Sequence, residues 1–173
     1  MGFDKDIHHR QTIRLRNYDY SQPGMYFVTI CTRNRQPLLG DIVDQKMTLN
    51  AAGIMVASTW CDMPKHYPGF NLGEFVVMPN HFHGLVQFSE HVGAIHELPL
   101  HKPSRRQMGL AKLMGRFKMV SAKAINQLHN SSGESVWQRN YFEHIIRSEN
   151  VYLKAAEYIQ TNPQRWTEDT YHV

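Results

Sequence analysis

The sequence predicts an α+β protein built on one antiparallel sheet. Short runs rich in β-branched and aromatic residues, typical of strands, alternate with longer segments whose apolar residues follow the helical repeat. A turn at Pro79-Asn80 joins two of the apolar runs directly, as expected for neighbouring antiparallel strands. The 173 residues and the 42% apolar content are ordinary for a single globular domain. We therefore expect one domain over residues 1–173.

The first predicted strand and helix lie in the N-terminal third of the chain. Residues 25–32 read MYFVTICT, a β-branched and aromatic run that predicts a strand. Residues 50–65 carry apolar side chains at helical spacing and predict a helix. Because proline lacks a backbone N–H and clashes with the preceding turn, we expect Pro64 and Pro68 to end that helix.

Two strands are predicted on either side of the turn at Pro79-Asn80. The second of them contains His81, Phe82 and His83 and continues to Phe88. Side chains alternate between the two faces of a strand, so both histidines should point one way and Phe82 the other. Two imidazoles side by side on a strand can bind a divalent metal ion together.

The second half of the chain predicts two further helices and one more strand. Residues 89–108 read as a variable loop, 109–128 as a helix, 141–147 as a strand, and 148–162 as a helix that Ser148 caps. The first six elements are strand, helix, strand, strand, helix, strand. This order matches the ferredoxin-like split βαβ arrangement, with helices on one face of the sheet and an additional C-terminal helix.

A positively charged segment lies between Glu97 and Glu134, where the sequence has no acidic residue. A segment whose charges are all positive is suited to binding a polyanion. The alternative is that these residues form a helix face that contacts only solvent. The candidate contacts are Arg105, Arg106, Lys112, Arg116, Lys118 and Lys123. No apolar run approaches the roughly 20 residues that span a bilayer, so no membrane partner is expected. Cys31 and Cys61 lack the spacing of a metal or disulfide pair and are expected to be free thiols.

The last predicted helix places Tyr158 and Asn162 on one face, four residues apart. An asparagine carbonyl suits a hard divalent ion and would complete the site begun by His81 and His83. A metal that polarises a phosphodiester, beside a tyrosine that acts as covalent nucleophile, can cleave nucleic acid. Two other functions stay open. One is a metal-dependent phosphodiesterase that uses water, and the other is a non-catalytic nucleic-acid-binding protein with structural histidines.

Five motifs, in order along the chain, resemble a known family. They are YFVTICTRNR at 26–35, VMPNHFHG at 77–84, GRFK at 115–118, VWQRNYFEHIIR at 136–147 and YIQTNP at 158–163. The sequence resembles the HUH superfamily of single-stranded-DNA nucleases, in which a hydrophobic residue separates two histidines. Within that superfamily it is most similar to the REP-associated tyrosine transposases, which are single-tyrosine transposases.

This resemblance implies an endonuclease and strand transferase, a transposase, that acts on single-stranded DNA containing REP-like palindromic hairpins. His81, His83 and Asn162 would hold Mg²⁺ or Mn²⁺, with Asn162 standing where other branches have glutamine. Tyr158 would form a transient 5′-phosphotyrosine linkage, which the 3′-hydroxyl of a second strand could reverse.

The resemblance also bears on the partners and the location of the chain. The basic candidates would then be DNA-binding residues, and the chain would act in the bacterial cytoplasm in association with the nucleoid. A homodimer is an option, since some relatives form one. A domesticated, inactive descendant that only binds DNA is a further alternative.

Overall fold

The computed structural model describes residues 23–66, 69–89 and 109–172. Across these ranges the chain forms six strands and three α-helices. The strands are β1 Gly24–Cys31, β2 Gly40–Val43, β3 Lys46–Leu49, β4 Phe70–Val77, β5 His81–Phe88 and β6 Phe142–Ile146. The helices are α1 Ala51–His66, α2 Gly109–His129 and α3 Glu149–Thr161, with short 3-10 segments at Arg33–Arg35 and Asn162–Glu168.

Four strands form the main sheet in the order β4-β5-β1-β6, and every neighbouring pair is antiparallel. In the chain, α1 lies between β1 and β4, and α2 lies between β5 and β6. Each of these helices therefore links two strands that have one other strand between them in the sheet. The predicted α+β class and antiparallel sheet are confirmed.

The two faces of the sheet carry different cores. Val28 and Phe82 belong to the larger core with α1 and α2, where the Phe82 ring lies 4.8 Å from Trp60 and 5.1 Å from Phe117, measured between centroids. Full burial of such a side chain contributes about 2 kcal/mol to folding. Phe27, from the opposite face of β1, packs in the smaller core with α3. The predicted alternation along β5 is confirmed, because Phe82 faces α1 and α2 while both histidines face α3.

Two local features differ from the sequence prediction. Residues 40–49 form the β2–β3 hairpin, which the sequence did not indicate because its turn residues are Asp44-Gln45 rather than a glycine-containing pair. The predicted helix over 50–65 is observed as α1, but Pro64 does not end it, since α1 continues to His66, and Pro68 lies outside the described residues. A proline this near the C-terminus removes only one late hydrogen bond, and Met63 holds the last turns because it is buried in the core.

Helix α3 begins as predicted and ends one residue earlier. The Ser148 hydroxyl accepts a hydrogen bond from the Val151 N–H at 3.4 Å, which caps the N-terminus. Asn162 caps the C-terminus, and the chain continues from it as a 3-10 segment instead of leaving the sheet. This continuation returns the C-terminal residues to the face of the sheet that carries the histidines.

The predicted DNA-binding residues fall into three groups. Lys112, Arg116 and Lys123 are exposed on α2, on the side of the sheet opposite α3. The Lys118 ammonium instead donates to the backbone carbonyls of Gln138, Arg139 and Asn140, and burial lowers its pKa to about 8. Arg105 and Arg106 lie outside the described residues, as does nearly all of the predicted loop at 89–108.

None of the helices in the described ranges is long and apolar enough to cross a membrane.

Candidate metal and nucleophile site

The two histidines of β5 are buried and neighbouring. His81 is 0% exposed and His83 1% exposed, and their ring centroids are 4.5 Å apart. Burial lowers the pKa of His81 to about 4 and lowers the pKa of His83 well below its usual range. Both imidazoles are therefore neutral at pH 7, which is the form that binds a metal.

Hydrogen bonds at Nδ1 set the orientation of each ring. The Asn80 amide donates from Nδ2 to the carbonyls of Arg35 (3.1 Å) and Tyr171 (2.7 Å), so its Oδ1 is the acceptor facing His81. His81 Nδ1 lies 2.8 Å from that oxygen and must carry the proton, which leaves a lone pair on Nε2. His83 Nδ1 lies 2.7 Å from the Thr29 hydroxyl, its cross-strand neighbour.

Three buried polar atoms without a hydrogen-bond partner in the described structure belong to this cluster: Nε2 of His81, Nε2 of His83 and Oδ1 of Asn162. Buried polar atoms are normally hydrogen-bonded, because leaving one unpaired costs about 1–3 kcal/mol. A nitrogen, nitrogen and oxygen set is also suitable chemistry for a divalent ion. These three side chains therefore fit a metal ion.

Asp169 is a further acidic member of the cluster. Its carboxylate and the two histidines offer ligand atoms that all lie within 4.8 Å of one another, so this group could hold a metal. Asp169 Oδ2 accepts a hydrogen bond from Asn162 Nδ2 at 2.9 Å, and Oδ1 accepts one from the Tyr171 N–H at 2.7 Å. By fixing the Asn162 amide through Nδ2, Asp169 leaves Oδ1 of that amide without a competing partner.

Tyr158 lies against the same cluster. Its ring centroid is 5.2 Å from that of His83 and 6.1 Å from that of Phe27. Its hydroxyl donates to Asp169 Oδ2 at 3.3 Å. Burial, followed by the negative charge of Asp169, raises the pKa of Tyr158 to about 12. The phenol is therefore protonated at neutral pH and points its proton at a carboxylate.

Aromatic residues of the C-terminal segment form one wall of the site. The Tyr171 ring lies 4.7 Å from His81 and 5.8 Å from His83, and Trp166 lies 5.9 Å from His81, all between centroids. The hydrogen bond from Asn80 to the Tyr171 carbonyl holds this wall to the start of β5.

The structure brings together four of the predicted site residues, His81, His83, Tyr158 and Asn162, and it does not bring the basic residues of α2 to them. Sequence reasoning missed the partners Thr29, Asn80, Asp169 and Tyr171. Asn80 adjoins the first histidine and could have been noticed for that reason. Asp169 follows a 3-10 segment, and the spacing of residues in the sequence does not predict the path of that segment.

Comparisons with known proteins agree with this fold. A Haemophilus influenzae protein of uncharacterised function is 41% identical, over 99% of this chain and 97% of that protein. A second protein of that organism, provisionally named a REP-associated tyrosine transposase, is 24% identical over 86% of this chain and 76% of its own length. A solved REP-associated tyrosine transposase bound to a REP hairpin superposes with a TM-score of 0.54 at 22% identity, covering 87% of this chain and 72% of that one. No protein-family model matches.

The chain thus has the fold of a REP-associated tyrosine transposase, and the resemblance found in its sequence motifs is confirmed. It belongs to the same family as the Haemophilus influenzae protein that is 41% identical to it. The similarity to the REP-associated tyrosine transposases supports a role as a transposase.

Removal of the Asp169 carboxylate should weaken metal binding at the candidate site. In Asp169→Ala the Asn162 amide loses the partner that orients it, so we expect the affinity for Mn²⁺ to fall about 10- to 100-fold. Titration calorimetry on the metal-free protein measures this directly. Asp62→Ala removes an exposed carboxylate from α1 and serves as the control, with unchanged affinity. Equal affinities for Asp169→Ala and the unmutated protein would show that the carboxylate has no such role.

Acid should destabilise the metal-free protein through His81. The unfolded chain binds a proton at a pKa near 6.5, whereas the folded protein binds it only near pH 4. The contribution of His81 to the unfolding free energy should therefore be complete above pH 6.5 and fall by about 3 kcal/mol as the pH drops to 4. Urea unfolding across this range measures the slope. His81→Gln should reduce the slope to the part that the buried His83 contributes, and His66→Gln, on the exposed end of α1, should leave it unchanged. Identical slopes in all three proteins would contradict the assignment.

Proposed function

We propose that this chain is a metal-dependent single-stranded-DNA endonuclease and strand transferase that acts on hairpin-containing DNA through a 5′-phosphotyrosine at Tyr158. One observation carries the proposal. The Tyr158 hydroxyl shares a carboxylate partner with Asn162, and Oδ1 of Asn162 is one of the three buried atoms of the cluster without a protein partner in the described structure. A nucleophile and a set of free ligand atoms thus converge at one place.

His81, His83 and Asn162 would hold Mg²⁺ or Mn²⁺. We prefer Asn162 to Asp169 as the third ligand, because both carboxylate oxygens already accept hydrogen bonds from the protein. Asp169 then orients Asn162 by a hydrogen bond, as residues that hydrogen-bond to metal ligands commonly do. A divalent ion bound there would polarise the phosphodiester and offset the charge that develops on it.

The chain's own residues account for the bond changes. Tyr158 Oη attacks the phosphorus, so an O–P bond forms between tyrosine and DNA while the bond from phosphorus to the 3′-oxygen breaks. The 3′-oxygen leaves with the electron pair and takes up a proton from solvent. Asp169 Oδ2, already hydrogen-bonded to the phenol, accepts the tyrosine proton. The 3′-hydroxyl of a second strand can attack the phosphotyrosine, which rejoins DNA and regenerates Tyr158.

Hairpin DNA is the proposed partner. A REP hairpin is bound in the related transposase structure, which supports the same class of ligand here. The exposed Lys112, Arg116 and Lys123 on α2 would contact phosphates, adding affinity rather than base selection. Since α2 covers the side of the sheet opposite Tyr158, DNA held there would have to pass around an edge of the sheet. Homodimerisation stays a prediction.

Neutralising the basic face of α2 should weaken DNA binding and its salt dependence. In the triple variant Lys112→Gln, Arg116→Gln, Lys123→Gln we expect the slope of log affinity against log salt to fall by about one for each phosphate that the variant no longer neutralises. Fluorescence anisotropy with a labelled hairpin at several salt concentrations measures the slope. The control pair Lys46→Gln, Lys65→Gln removes exposed lysines from β3 and α1. A triple variant with the slope of the unmutated protein would assign the α2 face to solvation.

A denaturing gel distinguishes the proposed function from its alternatives. The protein is incubated with a single-stranded hairpin substrate labelled at its 3′ end, with Mn²⁺ or with chelator. We expect cleavage and a labelled protein–DNA adduct with Mn²⁺ and neither with chelator. Cleavage without an adduct would indicate a phosphodiesterase that uses water. Binding without cleavage would indicate a non-catalytic or domesticated DNA-binding protein.

A further inference from the structure

We propose that a groove beside Tyr158 is a nucleobase site, in which Phe142 stacks on the base of a nucleoside attached to the scissile phosphate. This inference rests on the proposed function and adds a substrate subsite to it. The groove has a volume of about 410 Å³ and lies between the sheet, α3 and the C-terminal segment. His83 and Tyr158 are among the residues that line it, so the groove adjoins the candidate reaction centre.

The floor of the groove is one row of side chains across three strands. His83 of β5 pairs with Thr29 of β1, and Thr29 pairs with Phe142 of β6. Paired residues of neighbouring strands point to the same face, and the strands lie about 4.8 Å apart, so Phe142 stands roughly 10 Å from His83. A phosphate held at the histidines would therefore place an attached base within reach of Phe142.

The side chains of the groove suit a nucleoside and its phosphates. Phe142 is 43% exposed, which leaves an aromatic surface available to a planar partner. Lys154, one helical turn before Tyr158 on α3, and His144, beside Phe142 on β6, add polar and positively charged contacts. Among the described residues, none that lines the groove is acidic. An aromatic platform next to a lysine is the combination that proteins use to bind single-stranded nucleic acid.

Stacking on Phe142 would position the strand rather than select a sequence. Every base has an aromatic face, so a stacking platform tolerates all four bases. The expected consequence is that the groove fixes which phosphate meets Tyr158, while sequence choice is made elsewhere along the DNA.

The test combines removal of a DNA base with removal of the Phe142 ring. Cleavage rates at subsaturating substrate are compared for an intact hairpin substrate and for two substrates with an abasic nucleotide on either side of the scissile phosphate. For one of the two positions, we expect the abasic change to lower kcat/KM about tenfold with the unmutated protein. Phe142→Ala should lower it similarly on intact DNA and show little further decrease on that abasic substrate. Phe142→Trp, which keeps a stacking surface, should behave like the unmutated protein.

Leu153→Ala is the matched control, because Leu153 is 57% exposed on α3 and does not line the groove. It should retain the full abasic effect. If the two decreases multiply in Phe142→Ala, or if neither abasic substrate is impaired, the groove does not hold a base. That result would leave the proposed function standing, since the substrates are still cleaved through an adduct. Failure of the unmutated protein to cleave any substrate would overturn the proposed function and the groove with it.

Discussion

Tyr158→Phe is expected to abolish the protein–DNA adduct and to lower the rate of strand cleavage by at least about a thousandfold. The substitution removes only the phenolic oxygen. The ring remains and can keep its packing against His83 and Phe27. The loss of the hydrogen bond to Asp169 should cost about 1 kcal/mol of unfolding free energy, too little to unfold the protein. Single-turnover cleavage with Mn²⁺, followed on denaturing gels, measures the effect.

Tyr152→Phe provides a closely matched control. Tyr152 lies on the same helix, and its hydroxyl donates to Glu74 at 2.8 Å, so the variant also loses one side-chain hydrogen bond. It should cleave at the rate of the unmutated protein. Cleavage that survives Tyr158→Phe would identify water as the nucleophile and exclude the proposed covalent mechanism.

His83→Gln is expected to lower the affinity for Mn²⁺ more than about 100-fold and to reduce cleavage to a comparable degree at limiting metal. Loss of a residue that hydrogen-bonds to a metal ligand typically lowers metal affinity about 10- to 100-fold, and loss of the ligand itself should lower it further. The neutral His83 ring is held by Thr29 with Nε2 free in the described structure, an arrangement that a glutamine amide cannot reproduce. Calorimetric titration with Mn²⁺ and cleavage assays over a range of metal concentrations measure both effects.

The control for this substitution is His129→Gln, at the exposed C-terminal end of α2. It removes a histidine without touching the cluster and should leave Mn²⁺ affinity and cleavage unchanged. If His83→Gln binds Mn²⁺ as tightly as the unmutated protein, His83 is not a metal ligand and has a structural role.

Local periodicity accounts for the parts of the site that the sequence predicted. The placement of His81 and His83 on one face follows from the two-residue period of a strand, which holds wherever a strand forms. Tyr158 and Asn162 share a helical face for the same kind of reason, since four residues nearly complete a turn. Predicting the positions of these four residues required only the correct type of secondary structure for each segment and an antiparallel sheet that brings the segments together.

The remaining partners depend on features that local patterns do not encode. Thr29 reaches His83 only through the register of β1 against β5, across 54 residues of chain. Asp169 reaches Asn162 because the chain turns into a 3-10 segment at Asn162, where helix propensity alone predicts an end. The β2–β3 hairpin was missed because its turn lacks glycine, although Asp44 and Gln45 adopt positive φ angles there.

Peptide mapping of the trapped adduct tests the central claim most directly. The protein is reacted with a single-stranded hairpin substrate and Mn²⁺, the covalent adduct is isolated, and both components are digested before mass spectrometry. We predict a nucleotide joined through its 5′-phosphate to Tyr158. A nucleotide on another residue, such as Tyr152 or Tyr171, or cleaved DNA with no linkage to the protein, would contradict the account.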